Sequence, residues 1–336
     1  MTMTQHITIA DVARAAGVSV TTVSRILNGR FEKMRPATRK RVEMAIHSLN
    51  YVPAASAQRL RQAQGHVIGV LVGDISNPFS SLLAKGIDDV LQKAGYDILL
   101  MNTNNSIDTE ARALKRLYQQ RVDGIIVQPN SRHFTQYEFT KRNNVPLVIV
   151  DREVDDQPQI TGKVTSTNRD ACYQLGKSLS RRGYDNILTI SARFAEASGQ
   201  IPRIAGLKLA AKEAGLSYRN IETRGHDRQW LTQAFRKQFN ALDGRTAVIS
   251  LMGPVLFDLL SIFKNLNLTF PADLGLVSFD DWEWSQYVGD GIFLLKQDME
   301  LMGNIAADKL LTQISKKDST SSTTLLPVET VERHSI

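Results

Sequence analysis

The chain has 336 residues, which is too long for one hydrophobic core and fits two or three domains. Its 42% hydrophobic and 22% charged residues are typical of a soluble globular protein. A single cysteine, Cys172, excludes an intramolecular disulfide. The sequence has no apolar leader and no apolar run of about 18 residues, so we expect a cytoplasmic protein.

The excess positive charge lies in one part of the chain. Residues 1–66 contain ten of the 41 Lys and Arg but only three of the 34 Asp and Glu, so this segment carries the whole net charge of +7. The rest of the chain is neutral. This asymmetry is typical of a small polyanion-binding domain attached to a neutral body. A merely solvated basic surface is the alternative.

Residues 8–29 have the pattern of two short helices joined by a glycine. Apolar residues recur on one helical face before Gly17, a residue suited to a tight turn. Ser19 suits the N-cap of the second helix, in which Val23 and Ile26 face inward. Two helices joined in this way form a helix-turn-helix, whose second helix can enter the major groove of DNA. A generic small helical domain is the alternative.

This segment resembles the N-terminus of the LacI/GalR family of bacterial repressors. It matches the family pattern I-x-D-V-A-x-x-A-G-V-S-x-x-T-V-S-R-x-L-N at nearly every fixed position, and the resemblance extends over the whole chain. The resemblance implies that these residues contact DNA: Ser19, Val20, Thr21, Thr22, Ser24, Arg25 and Asn28. Val20, Thr21 and Arg25 match the base-reading positions, and Arg25 can donate two hydrogen bonds to a guanine.

A third helix is predicted from about Pro36, with Arg35 where the family usually has a serine cap. We therefore expect that cap to be weaker or displaced. The next segment resembles the family's hinge, which becomes a helix on operator DNA and pushes a leucine into the minor groove. The resemblance gives Leu60 this role, with Ala57 as the small residue beside it. The alternative for Leu60 is an ordinary linker residue.

From Val67 onward, apolar strand-like runs alternate with amphipathic helices. This alternation predicts parallel sheets covered on both faces, with ligand sites at the carboxyl ends of the strands. The resemblance implies the two-lobed α/β core of periplasmic sugar-binding proteins, joined by a hinge helix to an all-α helix-turn-helix head.

The predicted domains are a helix-turn-helix head at 1–50, a hinge or linker at 51–66, and an effector-binding and dimerisation domain at 67–336. Within the last, the resemblance implies an N-subdomain of about 67–165 and 296–323 and a C-subdomain of about 166–295 and 324–336. The C-terminal segment has no leucine heptads for a tetramer bundle. We therefore expect a homodimer on a near-palindromic operator.

The resemblance also implies effector contacts on the loops that follow the strands: Phe79, Ser80, Arg152, Arg203 and Asp280. An arginine offers a rigid bidentate fork for hydroxyls or a carboxylate. Arg203 and Asp280 fit the family pattern best, and a surface ion pair is the alternative for each. Phe79 equally fits a core aromatic residue.

Two departures from the family pattern bear on the effector. Met252-Gly253-Pro254 stands where the family often carries an acidic contact, and Thr167-Asn168 stands where Asp-Asn is common. A pocket that loses acids but keeps two arginines favours a sugar acid or a sugar phosphate, with a neutral sugar as the alternative. Residues 280–284 also resemble a subgroup that senses keto or ketodeoxy sugar acids of the ketogluconate type. We predict a repressor of a carbohydrate or sugar-acid utilisation operon.

Three rival classes fit less well. An enzyme is disfavoured because the first strand is not followed by G-x-G-x-x-G, no G-x-S-x-G occurs, and the six histidines lack metal-ligand spacing. Gly176-Lys177-Ser178 resembles the end of a phosphate loop but lacks its first glycine. We therefore predict no catalytic activity, no metal and no cofactor. A transport-type sugar-binding protein would need an export signal, and a nucleoid-type DNA-binding protein would lack a ligand cleft.

Overall fold

The structure is a computed structural model, in which the chain divides into two compact units, residues 1–65 and 66–336. The residues that it describes are 7–27, 29–30, 34–51, 65–159, 161–192, 198–223, 225–280, 283–316 and 323–336. Among them, no helix is long and apolar enough to cross a membrane.

The first unit is a small helical head. Its helices are α1 (Ile9–Ala16), α2 (Val20–Leu27) and α3 (Pro36–Ser48). Val12, Val23 and Val42, one from each helix, are fully buried at the centre of its core. Gly17 ends α1 with φ +63°, a left-handed conformation that glycine adopts without a steric cost. Arg35 makes no side-chain capping bond at the start of α3, as expected.

The first helix is fixed by a capping box. The Thr8 amide and hydroxyl donate to Asp11 Oδ2 at 2.9 and 2.6 Å. These two hydrogen bonds lower the pKa of the exposed Asp11 carboxyl below its usual value. The head therefore has a defined start as well as a defined turn.

The second unit contains two six-stranded sheets, which we call the sheets of the N-lobe and the C-lobe. The N-lobe sheet is parallel throughout, in the order β11-β5-β4-β3-β1-β2. Its strands are β1 (Val67–Val72), β2 (Asp97–Asn102), β3 (Gly124–Val127), β4 (Leu147–Val150), β5 (Gly162–Ser166) and β11 (Thr323–Leu326). The C-lobe sheet has the order β12-β10-β9-β8-β6-β7, and only the β10–β12 pair is antiparallel. Its strands are β6 (Asn186–Ser191), β7 (Ser217–Glu222), β8 (Thr246–Ser250), β9 (Gly275–Phe279), β10 (Phe293–Lys296) and β12 (Glu329–Val331).

Helices cover both faces of each sheet. The N-lobe helices are α4 (Pro78–Leu91), α5 (Ile107–Gln119), α6 (Glu138–Arg142) and α11 (Met299–Lys316). The C-lobe helices are α7 (Asn168–Arg181), α8 (Gln200–Ala214), α9 (Arg228–Phe239) and α10 (Gly253–Leu266). The central strands are buried along their whole length, which explains their continuous apolar sequences.

Close backbone contact joins one helix pair in each lobe. In the N-lobe, a Cβ on Gly86 of α4 would meet the backbone of Glu300, and a Cβ on Gly303 of α11 would meet the backbone of Leu83. The two helices can therefore approach this closely only because both positions are glycine. In the C-lobe, a Cβ on Gly206 would meet the backbone of Arg169 on α7. Segments that are distant in sequence are thereby packed together in each core.

The chain passes between the two sheets three times, after β5, after β10 and after β11. The crossings come after Ser166, Lys296 and Leu326, one to three residues later than the boundaries predicted from the sequence. The largest correction concerns residues 324–326, which were assigned to the C-subdomain but pair with β5 in the N-lobe sheet. The sequence period shows that this segment is a strand but not which sheet it joins.

Candidate functional site

The predicted DNA-contacting residues of the head lie along α2. The Ser19 hydroxyl accepts a hydrogen bond from the Thr22 amide at 3.2 Å, so Ser19 caps α2 as expected. Val20 is 41% exposed, and Thr21 and Arg25 are also exposed. Thr21 and Arg25, four residues apart, lie on the same side of α2, and Val20 is exposed next to Thr21.

The other predicted contacts of the head differ in accessibility. Thr22 and Ser24 are half-buried, and the Thr22 hydroxyl lies 2.9 Å from that of Ser19. Their place beside the exposed face suits contacts to phosphates more than to bases. Asn28, Ala57 and Leu60 lie outside the described residues.

In the second unit, the carboxyl ends of strands from both sheets face a common cleft, which consists of three adjoining cavities. A polar cavity has a volume of about 250 Å³ and is lined from the N-lobe by Asp74, Ser80, Asn105 and Arg152, among others. A narrow cavity of about 40 Å³ is lined by Phe79, Arg152, Arg203 and Asp280, among others. An apolar cavity of about 390 Å³ shares Phe79 and Asp280 with the narrow one. The structure therefore brings the five predicted effector residues to one cleft.

Arg152 follows β4 and is 6% exposed. Its Nη1 donates to Asn130 Oδ1 at 2.6 Å and to the Pro129 carbonyl at 3.3 Å, and its Nη2 donates to Asn105 Oδ1 at 2.7 Å. The guanidinium also passes close to Gly73, where an added Cβ would lie 2.5 Å from Nη2. Three neighbouring loops of the N-lobe thus fix this side chain at the wall of the cleft.

Arg203 lies in the first turn of α8 and is 5% exposed. Its Nε donates to Asn168 Oδ1 at 3.0 Å, and its Nη1 donates to the Leu251 carbonyl. The guanidinium carbon lies 3.7 Å from the centre of the Phe279 ring, a cation–π contact. Asn168 is therefore one of the groups that hold Arg203. It matches the family pattern, and the departure noted above lies at Thr167, the residue before it.

Asp280 follows β9 and is 4% exposed, with φ +69°. Its Oδ1 accepts a hydrogen bond from Gln297 Nε2 at 2.9 Å. Burial raises the pKa of Asp280, while the nearby charge of Arg203 opposes the rise. Asp151 occupies a similar position after β4, with φ +65° and a hydrogen bond from Gln128 Nε2 at 2.8 Å. Each lobe therefore presents a clamped carboxylate as well as an arginine.

The α4 segment contributes the remaining two predicted contacts. Asn77 caps α4 through a 3.1 Å hydrogen bond from the Phe79 amide. Phe79 is 5% exposed and packs in the N-lobe core, yet its ring also lines the narrow cavity and the apolar cavity. Ser80 is 2% exposed and lines the polar cavity. Phe79 thus fits the core role that sequence analysis left open and also forms part of the cleft wall.

Several cleft residues of the C-lobe were not predicted from the sequence. His226 stacks on Trp230 with ring centres 4.1 Å apart, and Arg228 Nε donates to Asp258 Oδ1 at 2.8 Å. The polar cavity is lined by His226, Arg228 and Asp258 on its C-lobe side and by Arg152 on its N-lobe side. The polar sequence that precedes α9, after the end of β7, could have indicated these cleft residues. In the N-lobe, the same kind of signal was the run of Asn and Ser residues after β2.

Three family descriptions match parts of this chain. Residues 8–54 match "Bacterial regulatory proteins, lacI family", and residues 65–242 match "Periplasmic binding proteins and sugar binding domain of LacI family". Residues 177–336 also match a periplasmic binding protein-like domain. The first two matches correspond to the head and to the unit that holds the cleft.

Curated relatives span nearly the whole chain. The HTH-type transcriptional regulator KdgR of Bacillus subtilis is 30% identical over 336 residues, which cover 99% of this chain and 98% of that protein. The HTH-type transcriptional regulator PtxS of Pseudomonas putida is 30% identical over 312 residues, which cover 92% of this chain and 90% of that protein. Both relatives are transcriptional regulators by name.

Solved structures have the same fold. The Lac repressor bound to ONPG in its repressed state has a TM-score of 0.79 at 24% identity, and the match covers 99% of this chain and 100% of that one. A Lac repressor dimer bound to operator and an anti-inducer also has a TM-score of 0.79 at 24% identity, over 98% of this chain and 99% of that one. The helical head and the two-lobed parallel-sheet core expected from the sequence are confirmed by these similarities.

Proposed function

The chain belongs to the LacI family of DNA-binding transcriptional regulators with an effector-binding domain, and from that premise we propose that it represses a carbohydrate or sugar-acid utilisation operon. A small molecule bound between the lobes controls the repression. The relatives are regulators rather than enzymes, and the proposed role needs no catalytic group, metal or cofactor.

The outer face of α2 reads the operator in this proposal. Val20, Thr21 and Arg25 read bases: Arg25 donates to a guanine and Val20 contacts a thymine methyl. Thr22, Ser24 and Asn28 position the helix through phosphates. Ser19, Ala57 and Leu60 complete the proposed contacts. The +7 charge of residues 1–66 supports attraction to the phosphate backbone. The Lac repressor is a dimer on its operator, and we extend that arrangement to this chain, which implies half-sites about one helical turn apart.

The effector is proposed to be a sugar acid or a sugar phosphate. The observation that carries this proposal is that Arg152 and Arg203, one from each lobe, line the same cavity although both are nine-tenths buried or more. Phe79, Ser80 and Asp280 supply a ring face and hydroxyl contacts in the same cleft. The polar cavity of about 250 Å³ is smaller than most drug-sized sites, at about 300–1,000 Å³, which favours a monosaccharide derivative.

Control of repression follows from closure of the cleft. An effector that contacts Arg152 and Arg203 together stabilises one relative placement of the lobes. That placement changes how the two N-subdomains of the dimer lie relative to each other, and hence whether both hinges can order on DNA. The size of the effect is limited by the effector's difference in affinity between the two placements.

The experiment is a titration of the purified protein on DNA upstream of its own gene and of neighbouring operons, at fixed salt. Glucose, gluconate, 2-ketogluconate and glucose 6-phosphate are then added in turn, because they share one carbon skeleton and differ in charge. We expect tight binding to a near-palindromic site and a change in that binding with an anionic member only. Weak binding that is equal on all fragments and unaffected by every compound would contradict the proposal.

A substitution tests the base-reading role of the head. Arg25→Ala should weaken operator binding by about 1–3 kcal/mol and relax specificity at one base pair. Arg14→Ala is the matched control, since Arg14 is an exposed arginine on α1 whose side chain pairs with Asp11 at 3.0 Å. Equal losses for both variants, on specific and nonspecific DNA alike, would reduce Arg25 to a general phosphate contact.

A further inference from the structure

A buried carboxylate lies behind the N-lobe half of the cleft. Glu110 belongs to the first turn of α5 and has no exposed surface. Its Oε2 accepts a 2.6 Å hydrogen bond from the Asn130 amide, and its Oε1 accepts a 2.6 Å hydrogen bond from the Tyr137 hydroxyl. The Ser131 amide also donates to Oε1 at 3.4 Å. Glu110 therefore anchors the backbone of the loop that follows β3.

The anchored loop carries the groups that hold Arg152. Asn130 is 3% exposed, and its Oδ1 accepts the 2.6 Å hydrogen bond from Arg152 Nη1. Its Nδ2 donates to Thr103 Oγ1 at 2.6 Å, which fixes the amide so that the oxygen faces Arg152. The Pro129 carbonyl, on the same loop, accepts a second bond from Nη1. A shift of this loop would move both acceptors together.

The geometry points to Glu110 as a positioning residue of the effector site: it holds Arg152, through the backbone and side chain of Asn130, in the orientation that receives the effector's anionic group. A guanidinium recognises a carboxylate or phosphate bidentately only when its plane is fixed, and a fixed plane avoids an ordering cost on binding. This inference rests on the proposed function and extends it to a residue behind the cleft.

The ionic state of the network fits this role. Burial raises the pKa of Glu110, while its hydrogen bonds and the charge of Arg152 oppose the rise. Burial and the neighbouring carboxylate raise the pKa of Tyr137, so the phenol keeps its proton and donates it. Two amides and a phenol converge on the two carboxyl oxygens, and an amide in place of the carboxyl would present an N–H to one of these donors.

The test compares Glu110→Gln, Arg152→Lys, the double variant and Asp108→Asn by calorimetric titration with gluconate, 2-ketogluconate and glucose 6-phosphate. Asp108→Asn is the matched control, because it removes an exposed carboxylate from the same turn of α5. Glu110→Gln should weaken binding of whichever compounds bind the wild type by about tenfold or more. Operator affinity without any compound should stay within about twofold for Glu110→Gln and for Asp108→Asn.

The double variant separates positioning from a general loss of structure. If Glu110 acts through Arg152, Glu110→Gln should change affinity by less than about twofold in the Arg152→Lys background. An equal loss in both backgrounds would overturn the inference. If Glu110→Gln does not fold, Tyr137→Phe gives the same comparison, with an expected loss of about threefold in the wild-type background.

A measurement without any compound separates this inference from the proposed function. The guanidinium ¹⁵N–¹H signals of Arg152, assigned by their loss in Arg152→Lys, should show restricted rotation in the wild type and in Asp108→Asn. They should broaden or average in Glu110→Gln. Unchanged signals in Glu110→Gln would overturn the inference. A failure of all three compounds to bind the wild type would instead overturn the proposal that the effector is a sugar acid or sugar phosphate, and the positioning of Arg152 by Glu110 would still be tested by these signals.

Discussion

The two lobes share one architecture but hold their arginines in different ways. In the N-lobe, Arg152 is held by side-chain and backbone acceptors from the loops after β2 and β3. In the C-lobe, Arg203 lies against the ring of Phe279, which is fully buried at the end of β9. Within the part of the chain that the structure describes, its hydrogen bonds go to the Asn168 side chain and the Leu251 carbonyl.

This difference shows that the same charge can be buried by two physical means. Hydrogen bonds to a guanidinium are directional, so the N-lobe network sets both the position and the plane of Arg152. A ring face attracts the whole cation and excludes water but tolerates rotation in the plane of the contact. We therefore expect the N-lobe half of the cleft to depend on polar side chains behind it and the C-lobe half to depend on core packing.

The largest expected effect comes from the aromatic contact in the C-lobe. Phe279→Ala should lower the free energy of unfolding by about 3–5 kcal/mol, because it leaves a cavity beside Arg203. It should also weaken the effector response. Phe235→Ala is the control, since Phe235 is fully buried in the same lobe but packs on Phe239 and Phe263. Urea unfolding and operator release measure the two quantities. A normal effector response in a stably folded Phe279→Ala protein would remove the ring from the site.

Truncation of the arginines compares the two lobes directly. Arg203→Ala and Arg152→Ala should each leave operator binding intact and abolish the response to effector. Each should destabilise the protein by about 1–3 kcal/mol, because buried acceptors lose their donors. Arg152→Ala should lower stability more, because the oxygens of Asn105, Asn130 and Pro129 that accept its hydrogen bonds all lose this donor. A larger loss of stability for Arg203→Ala, or a normal response in either variant, would contradict the comparison.

A small added side chain tests how tightly the N-lobe network is packed. Gly73→Ala should cost about 1–2 kcal/mol and weaken the effector response, because the new Cβ would meet Arg152 Nη2 and Asn105 Oδ1. Gly199→Ala is the matched change on the C-lobe side, where the nearest atom to the new Cβ is Asp151 Oδ1 at 3.6 Å. That variant should stay within about 0.5 kcal/mol of wild type. Thermal unfolding and operator release would show whether the two glycines differ.

The smallest expected effect concerns pH. Burial raises the pKa of Asp280 above its ordinary 3.8, so the folded state keeps this proton to a higher pH than the unfolded state does. The contribution of Asp280 to stability is therefore greatest at low pH and falls as pH rises from about 3.8 through the folded value. Asp280→Asn removes this dependence. Urea unfolding of both proteins between pH 4 and 8 should give curves that diverge with rising pH, and parallel curves would show that Asp280 does not titrate differently on folding.

Much of the fold follows from local sequence signals. The cap at Ser19, the turn at Gly17 and the inward face of α2 each depend on residues close together in the chain, and the structure contains all three. The buried strands were equally clear, because parallel strands covered on both faces need continuous apolar runs. The role of the polar residues after these strands was harder to predict.

The missing part of the site depends on which strands are neighbours. Asn105 and Asn130 meet at Arg152 only because β2, β1, β3 and β4 lie in that spatial order, which no sequence period reveals. Glu110 was missed for a related reason. A glutamate in the first turn of an amphipathic helix is usually exposed, and its burial depends on the distant Tyr137. The effector contacts predicted by resemblance remain predictions that binding experiments must test.

The order in which the strands join the two sheets has a consequence for synthesis of the protein. The head is made first, and the core of its described residues lies within residues 9–51, so it can fold while the ribosome is still extending the chain. The N-lobe cannot do so, because α11 and β11 are made only after the C-lobe strands from β6 to β10. A nascent chain stalled before residue 299 would therefore carry a finished head beside an N-lobe whose α4 face still lacks its covering helix, a species for chaperones to shield.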